Sequence, residues 1–473
     1  MNDTGLLSPV HAGLPIENVV SDDAWITAML DTEVALATAQ CDLGIIPHTA
    51  LVDIAHAART HIFDTRALAI ASRGAANPVV VFVEELTRAV EAIDTDSANY
   101  VHRGSTSQDI LDTAAMLITA RATTLIIGDL ERCVHALTDL ARTHRTTVMA
   151  ARTLAMHAVP TTFGAKIAVW INGLLDARDR LTTLRTQLPV QLGGAAGTLA
   201  SYVEVAEVGH PDPLGAGDVR TALTARFARH LDLTAPPAPW HTTRTPIADT
   251  AAAMNITSGA LGKIAVDVLS MARTEVLEVR EPAAAGRGES SAMPQKRNPA
   301  MSTLVRSAAL QVPALTSMMF QSMLAEDERP AGAWHAEWRP LRETLLLVSG
   351  AAATAAELVE GLTPDTGRML TNLELTGGQI VSERLSAVLA PLAGKTHTKK
   401  LLQKAAFAAQ ETGRPLSLIL ADDPAVNAHL PLEVIESLLD PYNYLGAAPD
   451  IVDDALARSA TTIPGPSALA GAH

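Results

Sequence analysis

The chain has 473 residues, room for about three domains of ordinary size, and its 48% apolar content supplies large cores and excludes wholesale disorder. Lys plus Arg is 36 against 51 Asp plus Glu, a net charge of −15. That balance excludes a general binder of nucleic acid or anionic membrane, so an anionic substrate must be met by local arginines and lysines.

The first ten residues, MNDTGLLSPV, contain no Lys or Arg, and the first is Arg59, which argues against a secretory signal. Trp25, Met29, Val34 and Leu36 mark an apolar helix that Gly44 and Pro47 end. Cys41 and Cys133 lie far apart with no C-x-x-C and no zinc spacing, so no disulfide framework follows and a cytoplasmic location is expected. Up to about residue 114 the pattern is of short helices broken by Pro47 and by the polar loop 103–109. From 115 to 355 apolar residues recur at threes and fours, as in Leu261, Ala265, Val268, Ala272, Val276 and Val279. Loops rich in Gly and Pro interrupt at 209–217, 235–240 and 282–299. Residues 307–325 carry no charge and approach the length of a membrane span. Pro313, Gln311 and Gln321 favour instead a helix buried on all sides inside a bundle. Beyond 356 the helices shorten, and the small, polar tail SATTIPGPSALAGAH is expected to be disordered. With 3% aromatics and abundant Ala and Leu, the fold class is all-α. The expected organisation is a long-helix bundle over 115–355, elongated, with smaller helical domains at 1–114 and 356–473.

The chemistry concentrates in 286–299, GRGESSAMPQKRNP. Two glycines let backbone N–H groups turn toward an anion. Ser290 and Ser291 are poor bases unless N–H donors and a cation stabilise the alkoxide, and Lys296 could supply that charge. No metal site is read: His56, His135 and His397 lack ligand spacing, and His335 with Glu337 is not H-E-x-x-H.

The segment resembles the signature loop of the fumarase/aspartase superfamily, G-S-S-x-M-P-x-K-x-N-P, from Ser290 to Pro299, with Glu289 in place of the leading Gly. HRGSTSQDILDTA, from His102, resembles the first signature, and ARTLAMHAVPTTFG, from Ala151, the second. In the second, Arg152, Thr153, Ala158 and Pro160 match, while Leu154 and Met156 replace the His and Gln. QLGGAAGTLA, PWHTTR, AGAWHAEW and LLDPYNYLG are similar to the 3-carboxy-cis,cis-muconate cycloisomerase-like members, over residues 20 to 456 or so. The resemblance implies Ser290 as catalytic base, with Lys296 and Asn298 at the substrate. It also implies substrate contacts from Arg103, Thr106, Ser107, Arg152, Thr153, His241, Arg244, Ser291 and Arg329. Departures gather at the signatures, at Arg103, Leu154, Met156, Glu289 and Asp327, which points to a different substrate handled by the same elimination.

The superfamily reaction takes a proton beside a carboxylate and expels a group from the neighbouring carbon. Hydroxide or an amine needs an acid to leave, whereas carboxylate or nitrite does not. Loss of the imidazole at Leu154 therefore fits a weakly basic leaving group, with His157 as a possible substitute acid if the segment were helical. The resemblance implies a lyase of a small dicarboxylate or tricarboxylate, preferably nitrosuccinate giving fumarate and nitrite, without a cofactor and as a homotetramer. Cycloisomerisation of 3-carboxymuconate is the alternative within the superfamily. A non-catalytic structural relative is the alternative outside enzymes.

Overall fold

The structure, a computed structural model, describes residues 5–208 and 216–463. The loop expected at 209–217 falls mostly outside those residues, as does most of the tail expected to be disordered, from 464 onward. Among the described residues six helices exceed twenty residues: α1 (Asp22–Asp42), α2 (Ser107–Thr143), α3 (Phe163–Gln187), α4 (Thr245–Met271), α5 (Ala300–Gln321) and α6 (Ala333–Glu360). The all-α expectation holds. The strands amount to two small two-stranded sheets.

Local chemistry sets the helix ends. Ser21 caps α1, its hydroxyl accepting from the Ala24 N–H at 3.1 Å, and Asp22 and Asp23 follow at the positive end of the helix dipole. Past Leu43 the chain turns out at Gly44, whose φ of 71° suits a residue without a Cβ. The stripe through Leu261 and Val268 is helical only to Met271. Leu277 then takes a φ of 50°, the Glu278 N–H returns to the Met271 carbonyl, and Val279 lies in a short strand with Pro364.

Two compact units emerge, each collected from three stretches: residues 1–129, 177–262 and 304–354 in the first, 130–176, 263–303 and 355–473 in the second. In the first, residues 108–119 of α2 are all buried, so this helix is enclosed on every side. It is also the one described helix long and apolar enough to cross a membrane by length and composition, and 72% of its most apolar window is buried as a core helix would be. The uncharged stretch 307–325 behaves otherwise. Val312, Thr316 and Met319 are buried, while Leu310 is 70% and Leu324 87% exposed, so the expected all-round burial is corrected to a one-sided one within this chain.

In the second unit the segment after Thr143 is a hairpin, not a helix. Strands β1 (Val148–Thr153) and β2 (Met156–Thr162) pair antiparallel, with Val148 opposite Thr162 and Arg152 opposite His157. The β-branched Val, Thr and the rigid Pro160 oppose helix here. Leu154 and Ala155 make the turn with φ of 50° and 67°, a left-handed pair that hairpins normally assign to Asn and Gly. A second cluster of this unit packs Leu385, Leu389, Leu420 and Ile435 from the shorter C-terminal helices.

Candidate active site

In the first unit the 102–107 loop leads into the buried start of α2, and α2 offers two carboxylates one turn apart. Asp109 accepts from the backbone N–H of Gly193 and Gly194, both at 2.9 Å, from Tyr202 Oη at 3.0 Å and from His241 Nε2 at 2.8 Å. Asp112 accepts from Arg244 Nη1 at 2.7 Å and Nη2 at 3.0 Å and from Trp334 Nε1 at 2.9 Å. The spacing explains the PWHTTR text. His241 and Arg244 stand three apart, as Asp109 and Asp112 do, and the two pairs join this segment to the helix bond by bond. Gly193 is obligatory there, because a Cβ would come within 2.7 Å of His241 Cε1.

Arg244 also donates to Glu337, Nη2 to Oε2 at 2.7 Å, and is 1% exposed. One guanidinium thus lies between two buried carboxylates. Burial pushes the Glu337 carboxyl up to about 7; Arg244 pulls it down and Asp112 pushes it up further. Arg244, expected as a substrate contact, has its charge matched in the interior by Asp112 and Glu337. His241 is likewise buried at 3% exposure, with Nδ1 lacking a partner.

Arg103 and Arg329 differ from Arg244. Neither has a carboxylate within ion-pair distance among the described residues. The Arg103 guanidinium lies 5.1 Å over the Tyr100 ring and makes one long bond, 3.5 Å, to the Asn99 carbonyl, and its Nε is buried without a partner. Arg329 Nη1 donates to Thr106 Oγ1 at 2.7 Å, while its neighbours Glu326, Asp327 and Glu328 remain exposed. Thr106 therefore has its oxygen occupied as an acceptor and its own proton left to donate. It also opens α2: its N–H reaches Asp109 Oδ2 at 3.4 Å, the returning half of a capping box, with Ser107 as first helical residue.

Three groups expected at the substrate lie in the second unit. Arg152 forks onto Glu278, Nη2 to Oε1 at 2.7 Å and Nη1 to Oε2 at 2.9 Å, and Glu278, fully buried, also accepts from Asn372 Nδ2 at 2.9 Å. Arg152, also expected as a substrate contact, thus has its charge matched by Glu278. Thr153 is exposed beside the turn, and Leu154 is fully exposed at the tip. His157 faces Arg152 across the ladder, so the helical placement considered for it is replaced by a strand. Partial burial and the Arg152 charge hold its imidazole below the usual value, against an opposing pull from Glu278.

The serine loop occupies the same unit. Ser290 Oγ accepts from the N–H of Met293 at 3.1 Å and of Ala292 at 3.4 Å. Two backbone donors on one serine oxygen are one of the two things a serine base requires, the other being a cation. The loop closes at its neck, where the Asn298 N–H meets the Gly288 carbonyl at 2.8 Å and Glu289 bridges to Arg297, Nη1 to Oε1 at 3.6 Å. The glutamate that departs from the signature thus pairs with the arginine inside it. Ser291 and Lys296 are exposed, and Lys296 Nζ has no partner among the described residues. Among the described residues no group of three or more His, Cys, Asp or Glu gathers as for a metal ion.

The family model described as "Lyase" matches residues 17–314, and one described as "Adenylosuccinate lyase C-terminus" matches 378–455. The chain belongs to the fumarase/aspartase superfamily of lyases. A nitrosuccinate lyase of Streptomyces davaonensis is 56% identical over 98% of this chain and 97% of its own length. A 3-carboxy-cis,cis-muconate cycloisomerase of Bradyrhizobium diazoefficiens is 40% identical over 95% and 96%. The solved structure of the 3-carboxy-cis,cis-muconate lactonizing enzyme of Pseudomonas putida superimposes with a TM-score of 0.87 at 35% identity, covering 97% of this lyase and 99% of that chain.

The carboxylates Asp109, Asp112, Glu278 and Glu337 escaped sequence reasoning as site-building residues. The signal that could have found the first two is their spacing, D-x-x-D, matched by H-x-x-R at 241–244.

Proposed function

We propose that this lyase eliminates the leaving group of a small substituted succinate, with nitrosuccinate, yielding fumarate and nitrite, as the preferred substrate. The observation that carries the reading is Ser290, whose Oγ receives two backbone N–H bonds in a loop that also presents Lys296 and Asn298. A serine oxygen so held is suited to take the proton beside a carboxylate. Lys296 and Asn298 have the chemistry to stabilise the doubly charged carboxylate that results. Arg103 and Arg329, unmatched by carboxylates, and the donors Thr106, Ser107, Thr153 and Ser291 suit a substrate dianion. Leu154 puts no acid where an imidazole would protonate a departing oxygen or nitrogen, and nitrite needs none. The 56% identical relative bears the name of that activity.

The exposed face of α5 from residue 307 onward, which carries no charge, and the exposed Leu154 and Met156 at the hairpin support a further part of the reading, that copies of this chain cover these surfaces in a homotetramer. Incubation with nitrosuccinate should release fumarate and nitrite in equal amounts. Ser290→Ala should fold normally, bind fumarate and lose several orders of magnitude in kcat. Near-normal turnover in that variant would refute the assignment.

A further inference from the structure

One buried ion pair of the first unit takes no part in the groups above. His102 Nδ1 lies 2.6 Å from Glu33 Oε1, and the Glu33 side chain, on α1, is 2% exposed. The His102 ring is 17% exposed, and its Nε2 has no hydrogen-bond partner among the described residues. The residue holds a φ of 54°, a left-handed backbone that costs a non-glycine residue about 1 kcal/mol or more. It immediately precedes Arg103, whose carbonyl is fixed by Gln40 Nε2 at 2.8 Å, also from α1. α1 therefore holds the loop at two successive residues. The result is an imidazole with one nitrogen committed to a buried carboxylate and the other unclaimed, beside the unmatched guanidinium of Arg103 and four residues before Thr106.

We propose that His102, backed by Glu33, is the cationic hydrogen-bond donor that meets the leaving group. This rests on the elimination reading above. In the step, the proton beside the carboxylate passes to the base, and the C–H electron pair becomes the second bond of the alkene. The C–N pair departs with nitrite, and the abstracted proton is later released to solvent. His102 keeps its own proton and lends Nε2–H to the oxygen on which negative charge grows. Glu33 is a positioning residue, fixing the ring and its charge from behind.

The electrostatics agree with the geometry. Burial opposes charge on the ring, but Glu33, by charge and by hydrogen bond, and then Asp109 outweigh it and raise the imidazole above its usual value. Asp109 is itself held by His241, Tyr202 and two backbone N–H groups, and Arg103 is the nearest cation along the chain.

The test uses the full-length enzyme, Glu33→Gln and His102→Asn, since Asn tolerates the left-handed backbone. The kcat/KM for nitrite release should fall roughly 100-fold or more in the His102 variant. In Glu33→Gln the alkaline limb of the pH profile should move toward acid. Retention of a third of wild-type kcat/KM in His102→Asn, or an unmoved limb in Glu33→Gln, would overturn the proposal. A nuclear magnetic resonance titration of ¹³C-histidine-labelled protein, assigned with His102→Asn, gives a readout independent of turnover. The His102 signal should titrate above the ordinary histidine value and shift toward acid in Glu33→Gln. A wild type that releases no nitrite would sink the elimination reading, and the role of His102 with it. An ordinary titration unaffected by Glu33→Gln would sink the dyad alone.

Discussion

Replacing Arg244 by Met separates an architectural arginine from a substrate-binding one. The guanidinium sits between Asp112 and Glu337 with exposures of 1%, 4% and 2% for the three side chains. Even with that cation present, burial leaves Glu337 about 2.5 pH units above its ordinary value, 7 against 4.5. At about 1.4 kcal/mol per unit this is roughly 3 kcal/mol of uncompensated cost in keeping the group charged. Without Arg244 the two carboxylates are left together, with Trp334 Nε1 and Gln108 Nε2 still donating to Asp112. The expected loss is about 3–5 kcal/mol, the range for removing one partner of a buried pair. For a cooperative unit of a few hundred residues that lowers Tm by on the order of 10 °C. Adding Glu337→Met should restore part of the loss, because it removes one of the stranded charges, and the non-additivity measures the coupling. Thermal unfolding at pH 7, with KM measured at a temperature where both proteins are folded, checks both halves. An unchanged Tm accompanied by a large rise in KM would refute this reasoning and return Arg244 to the substrate.

The same cluster makes stability depend on pH. Since the Glu337 carboxyl is raised to about 7 from 4.5, the folded state keeps a proton that the unfolded chain loses across that interval. This contribution is therefore full below about 4.5 and lost as pH rises through 7, by roughly 3 kcal/mol in all, and Glu337→Gln should flatten that part of the unfolding curve. His157→Ala should lower kcat/KM for nitrosuccinate only a few-fold; a loss of 100-fold or more in steady-state assays would make His157 the acid. Light scattering should give the mass of four chains, and a fully active monomer would contradict the assembly.

The helical class was legible because Ala and Leu at threes and fours admit little else, and the serine loop because its residue types recur in a fixed order. The β1–β2 hairpin was hidden. Its strands are short, Pro160 sits in one of them, and the turn uses Leu154 and Ala155 in place of Asn and Gly. The true end of α4 was hidden too, because the apolar stripe runs on to Val279 beyond the last helical turn. Among the candidate site residues, Thr106 and Arg329 were named separately, and the structure joins them at 2.7 Å. Arg152 and Arg244 were also named, but a one-dimensional pattern does not reveal that Glu278, Asp112 and Glu337 already match their charge. The pairing of Glu33 with His102 spans sixty-nine residues and leaves no periodic trace.

The leaving group decides the central claim. The direct measurement is kcat/KM for nitrosuccinate, malate and 3-carboxy-cis,cis-muconate on one preparation of the enzyme, following nitrite, fumarate and lactone. The expected result is stoichiometric nitrite and fumarate from nitrosuccinate, with malate and the muconate slower by several orders of magnitude. Rapid lactone formation without nitrite release would make the protein a cycloisomerase. Comparable rates for malate and nitrosuccinate would show that the site protonates its leaving group and would contradict the account.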